Sequence, residues 1–335
     1  MNVAVIGGGS LGSLLAGLMT RSGAEVVLIC RPPQIESLRQ QGLRIALPSE
    51  EYHARVNVQP RLQHAPDLAV FATHLNDLEQ AYQDNHQYLE TCFMLTVQSG
   101  IQGANILSCH FEPEKIIDGA VLFDNPVCPP GPLAVPPAAA MVIGKPFYPN
   151  DRRVFEVAEL VRPFVNVQVT SEIRATKWLK LLYDYIYCLP ALTGQTLHDV
   201  YADEPMCRVF HVLLNEAMKM VEVAGIELAS YPGFDVQDLH RAARTPPQGL
   251  RKAVGEIFLR HQDPSARGFL YRQLAGRRPS EVDFINGEIV QVASSLRMTV
   301  ALNQLFVQRL HQVEADACFL TGQEVVDLFR PLVVF

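Results

Sequence analysis

The stretch Gly7-Gly8-Gly9-Ser10-Leu11-Gly12 constrains the fold of this chain more than any other. Before it, Val3 to Ile6 is a short, β-branched apolar run; after it, Leu11, Leu14, Leu15 and Leu18 recur at helical spacing. The order is strand, loop, helix. A GxGxxG in that context predicts a dinucleotide-binding turn. Gly7 permits the tight turn, Gly9 lets the backbone approach a pyrophosphate, and Gly12 allows the helix to pack closely on the strand. The helix N-terminus then offers N–H groups and a positive dipole end to the diphosphate, so Gly8, Ser10 and Leu11 join the candidate cofactor contacts.

The same alternation continues down the chain. Val26 to Ile29, Leu68 to Phe71 and Phe93 to Val97 read as strands with helical segments between them, the pattern of a mostly parallel, doubly wound sheet buried on both faces. Between Asp124 and Pro137, prolines at 126, 129, 130, 132, 136 and 137 exclude a central strand or a helix and predict a loop or edge excursion. Ala140 to Ile143 and Val165 to Val169 read as late strands flanking a helix from Asp151 to Val161. From Ser171 onward the period changes to about 3.6, as in Ala175 to Leu189, Met206 to Ala224 and Val282 to Met298. The expected fold class is therefore α/β, with a Rossmann domain over residues 1–170 and an all-helical domain over 171–335. No repeat of fixed period interrupts this division.

At 335 residues, 48% of them apolar, the chain is long enough for two cores. A net charge of -7 leaves no basic excess for a nucleic-acid backbone. The seven cysteines (30, 92, 109, 128, 188, 207 and 318) are scattered and never form CxxC, which predicts neither a disulfide framework nor a zinc site but a reducing, cytoplasmic setting. The ten histidines show no HExxH or HxxxH spacing, so no metal is expected. The N-terminal run lacks a basic start and is interrupted by glycines, unlike a signal peptide. No stretch of 18 or more apolar residues is free of charges and glycines, so no membrane span is expected. An apolar stripe on the helical half would permit a homodimer.

The end of the second strand bears on the cofactor. Enzymes that use NAD place an acid there to accept the ribose 2′-hydroxyl; here the place holds Cys30 and Arg31. A guanidinium suits the 2′-phosphate of NADP, which it can grip with two N–H groups. Arg31 as a plain solvated loop residue is the competing reading, and leaves NAD open.

The segment Ser171-Glu172-Ile173-Arg174-Ala175-Thr176-Lys177-Trp178-Leu179-Lys180 opens the helical half and holds the only tryptophan. By chemistry alone Lys177 and Lys180 are equal candidates for a proton donor. In order and spacing, however, the chain resembles the ketopantoate reductase family along nearly its whole length. The resemblance is carried by the N-terminal GxGxxG, an Arg after the second strand, Gln98-Ser99-Gly100, Trp178-x-Lys180 and Ser280-Glu281-Val282-Asp283-Phe284-Ile285-Asn286-Gly287. It implies reduction of 2-dehydropantoate to pantoate, in pantothenate biosynthesis, with NADPH as hydride donor. It also implies that Lys180 is the catalytic lysine, protonating the carbonyl oxygen as hydride arrives, and that Glu281 binds the substrate hydroxyl. Asn286 and Gly287, in the same motif, read first as helix packing.

Several positions depart from the family's pattern. His74 stands where the family has a lysine, and Ser99 where it has an asparagine; both still hydrogen-bond and remain candidate cofactor contacts, Ser99 a substrate contact as well. Asp184 and Cys188 replace two asparagines on the stripe of Lys180 and are candidate substrate contacts. Asp184 is placed to pair with Lys180 and would repel a 2-oxo acid carboxylate. Phe269 replaces a serine that helps hold that carboxylate, and Arg272 would restore a cation if it points inward. These changes keep two alternatives in play: a reductase of another small oxo acid, and a protein that binds NADPH without turnover.

Overall fold

The structure is a computed structural model that describes residues 1–123, 129, 131–260, 262–263 and 265–332. Part of the proline-rich run, with Pro126, Cys128 and Pro130, lies outside the described residues, as does His261. The chain forms two compact units, Met1–Lys177 and Trp178–Phe335. The first is a mixed α/β unit on a mostly parallel sheet and the second is helical.

The strands of the first unit are β1 (Asn2–Ile6), β2 (Glu25–Ile29), β3 (Leu43–Ala46), β4 (Glu51–Ala54), β5 (Asn57–Gln59), β6 (Leu68–Phe71), β7 (Phe93–Thr96), β8 (Ile116–Val121), β9 (Leu133–Ala134), β10 (Ala140–Gly144) and β11 (Asn166–Val169). Eight of them make one sheet in the order β11-β10-β8-β7-β6-β1-β2-β5, parallel throughout except where β10 runs against β8. β1 is flanked in parallel by β2 and β6, which is why Val3 to Ile6 are apolar without alternation: both faces are covered. After β1 the chain builds outward through β2 to β5, then returns to lay β6 on the other side of β1. This reversal is the topological switch point, the place where open α/β sheets bind ligands at their strand ends.

β3, β4 and β9 form a separate three-stranded sheet in the order β4-β3-β9. It packs on the helix Ser10–Arg21 at Gly17, where a Cβ would lie 2.1 Å from Ile45 Cδ1. Leu133, Val135 and Ala139, from the later part of the proline-rich run, join the same core. The helix Arg152–Glu159 starts where expected, with Asp151 Oδ1 accepting from the Arg153 N–H at 3.0 Å.

In the second unit the helix Glu204–Val223 is the spine. Its buried residues Met206, Phe210, Leu213, Leu214, Ala217 and Val221 follow the helical period, and the helices Asn286–Ser295, Ala301–Asp316 and Gly322–Phe329 pack on it. The expected single helix over 175–189 is in fact broken: α-helix over Ile173–Asp184, a 3₁₀ turn over Tyr185–Tyr187, then α-helix over Cys188–Thr193. Pro190 is the physical reason, since it has no N–H to give to the Ile186 carbonyl. The Tyr201 hydroxyl donates to that oxygen instead, at 2.8 Å. Likewise the expected helix from Val282 begins as a 3₁₀ turn over Val282–Phe284 and becomes α-helical only at Asn286. Among the described residues no helix is long and apolar enough to cross a membrane.

Candidate functional site

In the first unit the glycine loop is shaped by contacts that leave no room for side chains. Gly7 has φ +120°, and a Cβ there would fall 2.8 Å from the backbone carbonyl of Ala72, just past β6. A Cβ on Gly12 would lie 1.9 Å from the Gly7 carbonyl oxygen, so the helix starts hard against the turn. Gly9 alone faces open space, with nothing within 4 Å. The Gly8 carbonyl is held by the Gln34 amide at 2.9 Å and by the Ser13 hydroxyl at 3.2 Å. No side chain caps the helix Ser10–Arg21, whose N-cap is Gly9. A fixed loop, an open backbone edge and an uncapped helix start fit a dinucleotide diphosphate.

At the end of β2, Cys30 packs against Gly8, and burial pushes its thiol above the ordinary value, partly offset by the charge of Arg39. A neutral thiol therefore stands where an acid would accept a ribose hydroxyl. Arg31 follows, and its Nη2 lies 2.5 Å from Oδ2 of Asp77, in the first turn of the helix Leu75–Gln83. His74 is the N-cap residue of that helix. Beyond β7, Gln98 gives its amide to the Phe71 carbonyl at 2.9 Å while its own Oε1 is buried without a partner. Ser99 follows, half-buried, and Gly100 turns the chain at φ +75°.

Thr96, Asp118 and Lys177 form a buried polar cluster that sequence reasoning missed. Asp118 Oδ1 accepts from Lys177 Nζ at 2.7 Å, from the Thr96 hydroxyl at 2.6 Å and from the Gly119 N–H at 2.9 Å. Lys177 also donates to the Gln98 carbonyl at 3.1 Å. This lysine is sealed within the first unit, its side chain 2% exposed against 14% for Lys180, a difference that residue chemistry alone did not reveal.

In the second unit Lys180 Nζ lies 2.6 Å from Asp184 Oδ2, one turn along the helix, with side chains 14% and 9% exposed. A cation kept this close to a carboxylate is held extended along the helix and largely out of water. Glu281, 4% exposed, is gripped twice by Gln273: the glutamine amide donates to its Oε2, and its own backbone N–H donates to Gln273 Oε1 at 2.9 Å. Tyr231 is buried within reach of the Asp184 charge with no partner for its hydroxyl; burial first, then that charge, pushes its acidity far below the ordinary phenol's.

Cys188 is turned into the core. Its thiol donates to Asn286 Oδ1 at 3.1 Å, and burial pushes it well above the usual range despite that bond. Asn286 continues to Asn303 at 3.0 Å, which also accepts from the Tyr185 hydroxyl at 2.9 Å and donates to Glu216 at 2.8 Å. Asn286 is thus a polar link rather than the plain helix-packing residue expected. Phe269 stands edge-on to the Tyr187 ring, with centroids 5.7 Å apart, and Arg272 is half-buried in the same helix. Among the described residues no three His, Cys, Asp or Glu side chains stand together as a metal site would.

Gln273 and Asp77 carried no signal in the sequence, because each acts through a partner that only folding brings near.

Comparison with known proteins agrees in both halves. The family model described as ketopantoate reductase PanE/ApbA matches residues 3–127, and the one for its C-terminal part matches residues 172–314. A 2-dehydropantoate 2-reductase of Pyrococcus abyssi is 25% identical over 314 residues, covering 91% of this chain and 95% of that protein. The crystal structure of 2-dehydropantoate 2-reductase from Geobacter metallireducens GS-15 matches at TM-score 0.78 and 18% identity, over 93% of this chain and 100% of that one. D-mandelate dehydrogenase, solved with NADH and anilino(oxo)acetate, matches at TM-score 0.76 and 17% identity, over 94% of this chain and 99% of that one. At such identities the structural likenesses speak for the fold. The family models span both the glycine turn and the segment from Lys180 to Glu281, and the chain belongs to the ketopantoate reductase family.

Proposed function

We propose that this chain is a cytoplasmic reductase that uses NADPH to convert 2-dehydropantoate to pantoate. The observation that carries the reading is the pair of groups the chemistry needs in one unit: Lys180 with its ammonium beside Asp184, and Glu281 buried and braced by Gln273. The nicotinamide, when bound, supplies the hydride. Lys180 Nζ gives a proton to the carbonyl oxygen as negative charge develops there, and remains extended because Asp184 holds it. Glu281 accepts a hydrogen bond from the substrate hydroxyl, and Gln273 fixes which oxygen is presented. On the cofactor side the open edge at Gly9 receives the diphosphate, Arg31 faces the ribose 2′-position, and His74 and Ser99 offer further hydrogen bonds. With the Cys188 thiol, in the following helix, spent on Asn286, substrate contact in this part of the chain falls to Lys180 and Asp184.

A second reading keeps the reaction and changes the substrate to another small oxo acid. Asp184 favours it, because a carboxylate one turn from the proton donor opposes a 2-oxo acid's own carboxylate. The structural likeness to a D-mandelate dehydrogenase is in keeping with that breadth.

The test is to follow nicotinamide absorbance with NADPH and 2-dehydropantoate, alongside a panel of 2-oxo acids and a Lys180→Ala variant. Rapid oxidation that is lost in Lys180→Ala is the expected result. Oxidation only with another oxo acid selects the second reading, and bound cofactor without oxidation by any substrate sinks both.

A further inference from the structure

The guanidinium expected to meet a ribose 2′-phosphate is already engaged. Arg31 Nη2 lies 2.5 Å from Asp77 Oδ2, and the two side chains are 64% and 43% exposed, so both remain reachable from solvent. Asp77 comes from a different part of the chain: it sits in the first turn of the helix after β6, beside the switch point. The usual acidic position at the end of β2 is vacated to the neutral Cys30. The fold therefore returns a carboxylate to the rim of the 2′-site from the neighbouring strand's turn.

The two dinucleotides differ there by one group. A 2′-phosphate carries between one and two negative charges near neutral pH, and must share Arg31 with an anion already bound to it. A 2′-hydroxyl is neutral and can donate a hydrogen bond to the Asp77 carboxylate, as it does to the acid of NAD-binding turns. Asp77 thus penalises NADPH and supplies an acceptor for NADH.

We infer that Asp77 is a cofactor-specificity residue, and that through its bond to Arg31 this chain binds NADH and NADPH with comparable affinity. This rests on the reading that Arg31 faces the ribose 2′-position. The effect expected of one charge at this partly exposed place is about tenfold in Kd.

The experiment is calorimetric titration of the full chain, without substrate, with NADPH and with NADH, in the wild type, Asp77→Asn and Arg31→Ala. The wild-type Kd values should lie within about tenfold of each other. Asp77→Asn should tighten NADPH about tenfold while leaving NADH equal or weaker, and Arg31→Ala should weaken NADPH selectively. A wild type that prefers NADPH by about a hundredfold, or an Asp77→Asn ratio equal to wild type while Arg31→Ala is selective, overturns the inference and leaves the placement of Arg31 standing. If Arg31→Ala changes neither affinity, the placement falls and takes the inference with it. Thermal unfolding of both variants checks that they fold; the pair is on the surface, so wild-type midpoints are expected.

Discussion

Gln273 holds Glu281 at two points, through the carboxylate and through the backbone N–H, so one buried glutamine fixes both the position and the rotation of one buried glutamate. The two residues are eight apart and joined through the turn that follows the helix Gly268–Ala275.

Gln273→Ala removes both of these bonds and loosens the hold on the Glu281 carboxylate. If Glu281 binds the substrate hydroxyl, kcat/KM should fall about tenfold to a hundredfold, mostly through KM, with cofactor affinity unchanged. Steady-state kinetics beside a cofactor titration separate these. A loss of cofactor binding would place Gln273 in some other role.

Asp184→Asn keeps the shape of the Lys180 contact and removes the negative charge. With less repulsion of an incoming carboxylate, KM for 2-oxo acids should drop about fivefold or more. The KM for an uncharged ketone should stay as it is in the wild type, since no carboxylate is there to be repelled. A substrate panel run on both proteins reads the difference, and equal effects on the charged and neutral compounds would contradict the electrostatic account.

Lys177→Met leaves Asp118 buried with its cation gone. The expected cost is about 3–5 kcal/mol in urea unfolding, as for a broken buried ion pair. Adding Asp118→Asn should recover part of that loss, because the second substitution removes the stranded charge. Lack of recovery would mean that packing, not charge, dominates at this place.

Burial holds the His211 imidazole below its ordinary value of 6.5, only partly offset by its contacts with the carbonyls of Ala243 and Ala242. Protons therefore bind the unfolded chain more readily. The stabilisation from neutral His211 is complete above about pH 6.5 and is lost as pH falls through the lower folded value. Urea midpoints should decline between about pH 7 and 5, and His211→Gln should flatten part of that decline. An unchanged slope in the variant would assign the acid sensitivity elsewhere.

The sequence made the central parallel strands legible because they are buried on both faces: β1, β2, β6 and β7 are near-continuous apolar runs. β3, β4 and β5 were not legible, since their exposed residues break the run and their short lengths give no period. β8 hid Asp118 in its middle, a charge that argues against a core strand until Lys177 is seen beside it. The break at Tyr185–Tyr187 was missed because the proline responsible lies in the following helix. At the candidate site, the family resemblance pointed to Lys180 and Glu281, which residue chemistry alone did not separate from their neighbours. The brace on Glu281 comes from Gln273, eight residues earlier across a turn, and no helical or strand period runs through that turn.

The helix Ile173–Asp184 is divided between the two compact units, with Lys177 in the first and Lys180 in the second. The halves are therefore not freely exchangeable parts. A chimera joined at residue 171 would import another protein's helix start and strand Asp118 in the host, whereas one joined after Lys177 keeps the pair together. The seam open to recombination, natural or engineered, lies inside this helix, just past Lys177.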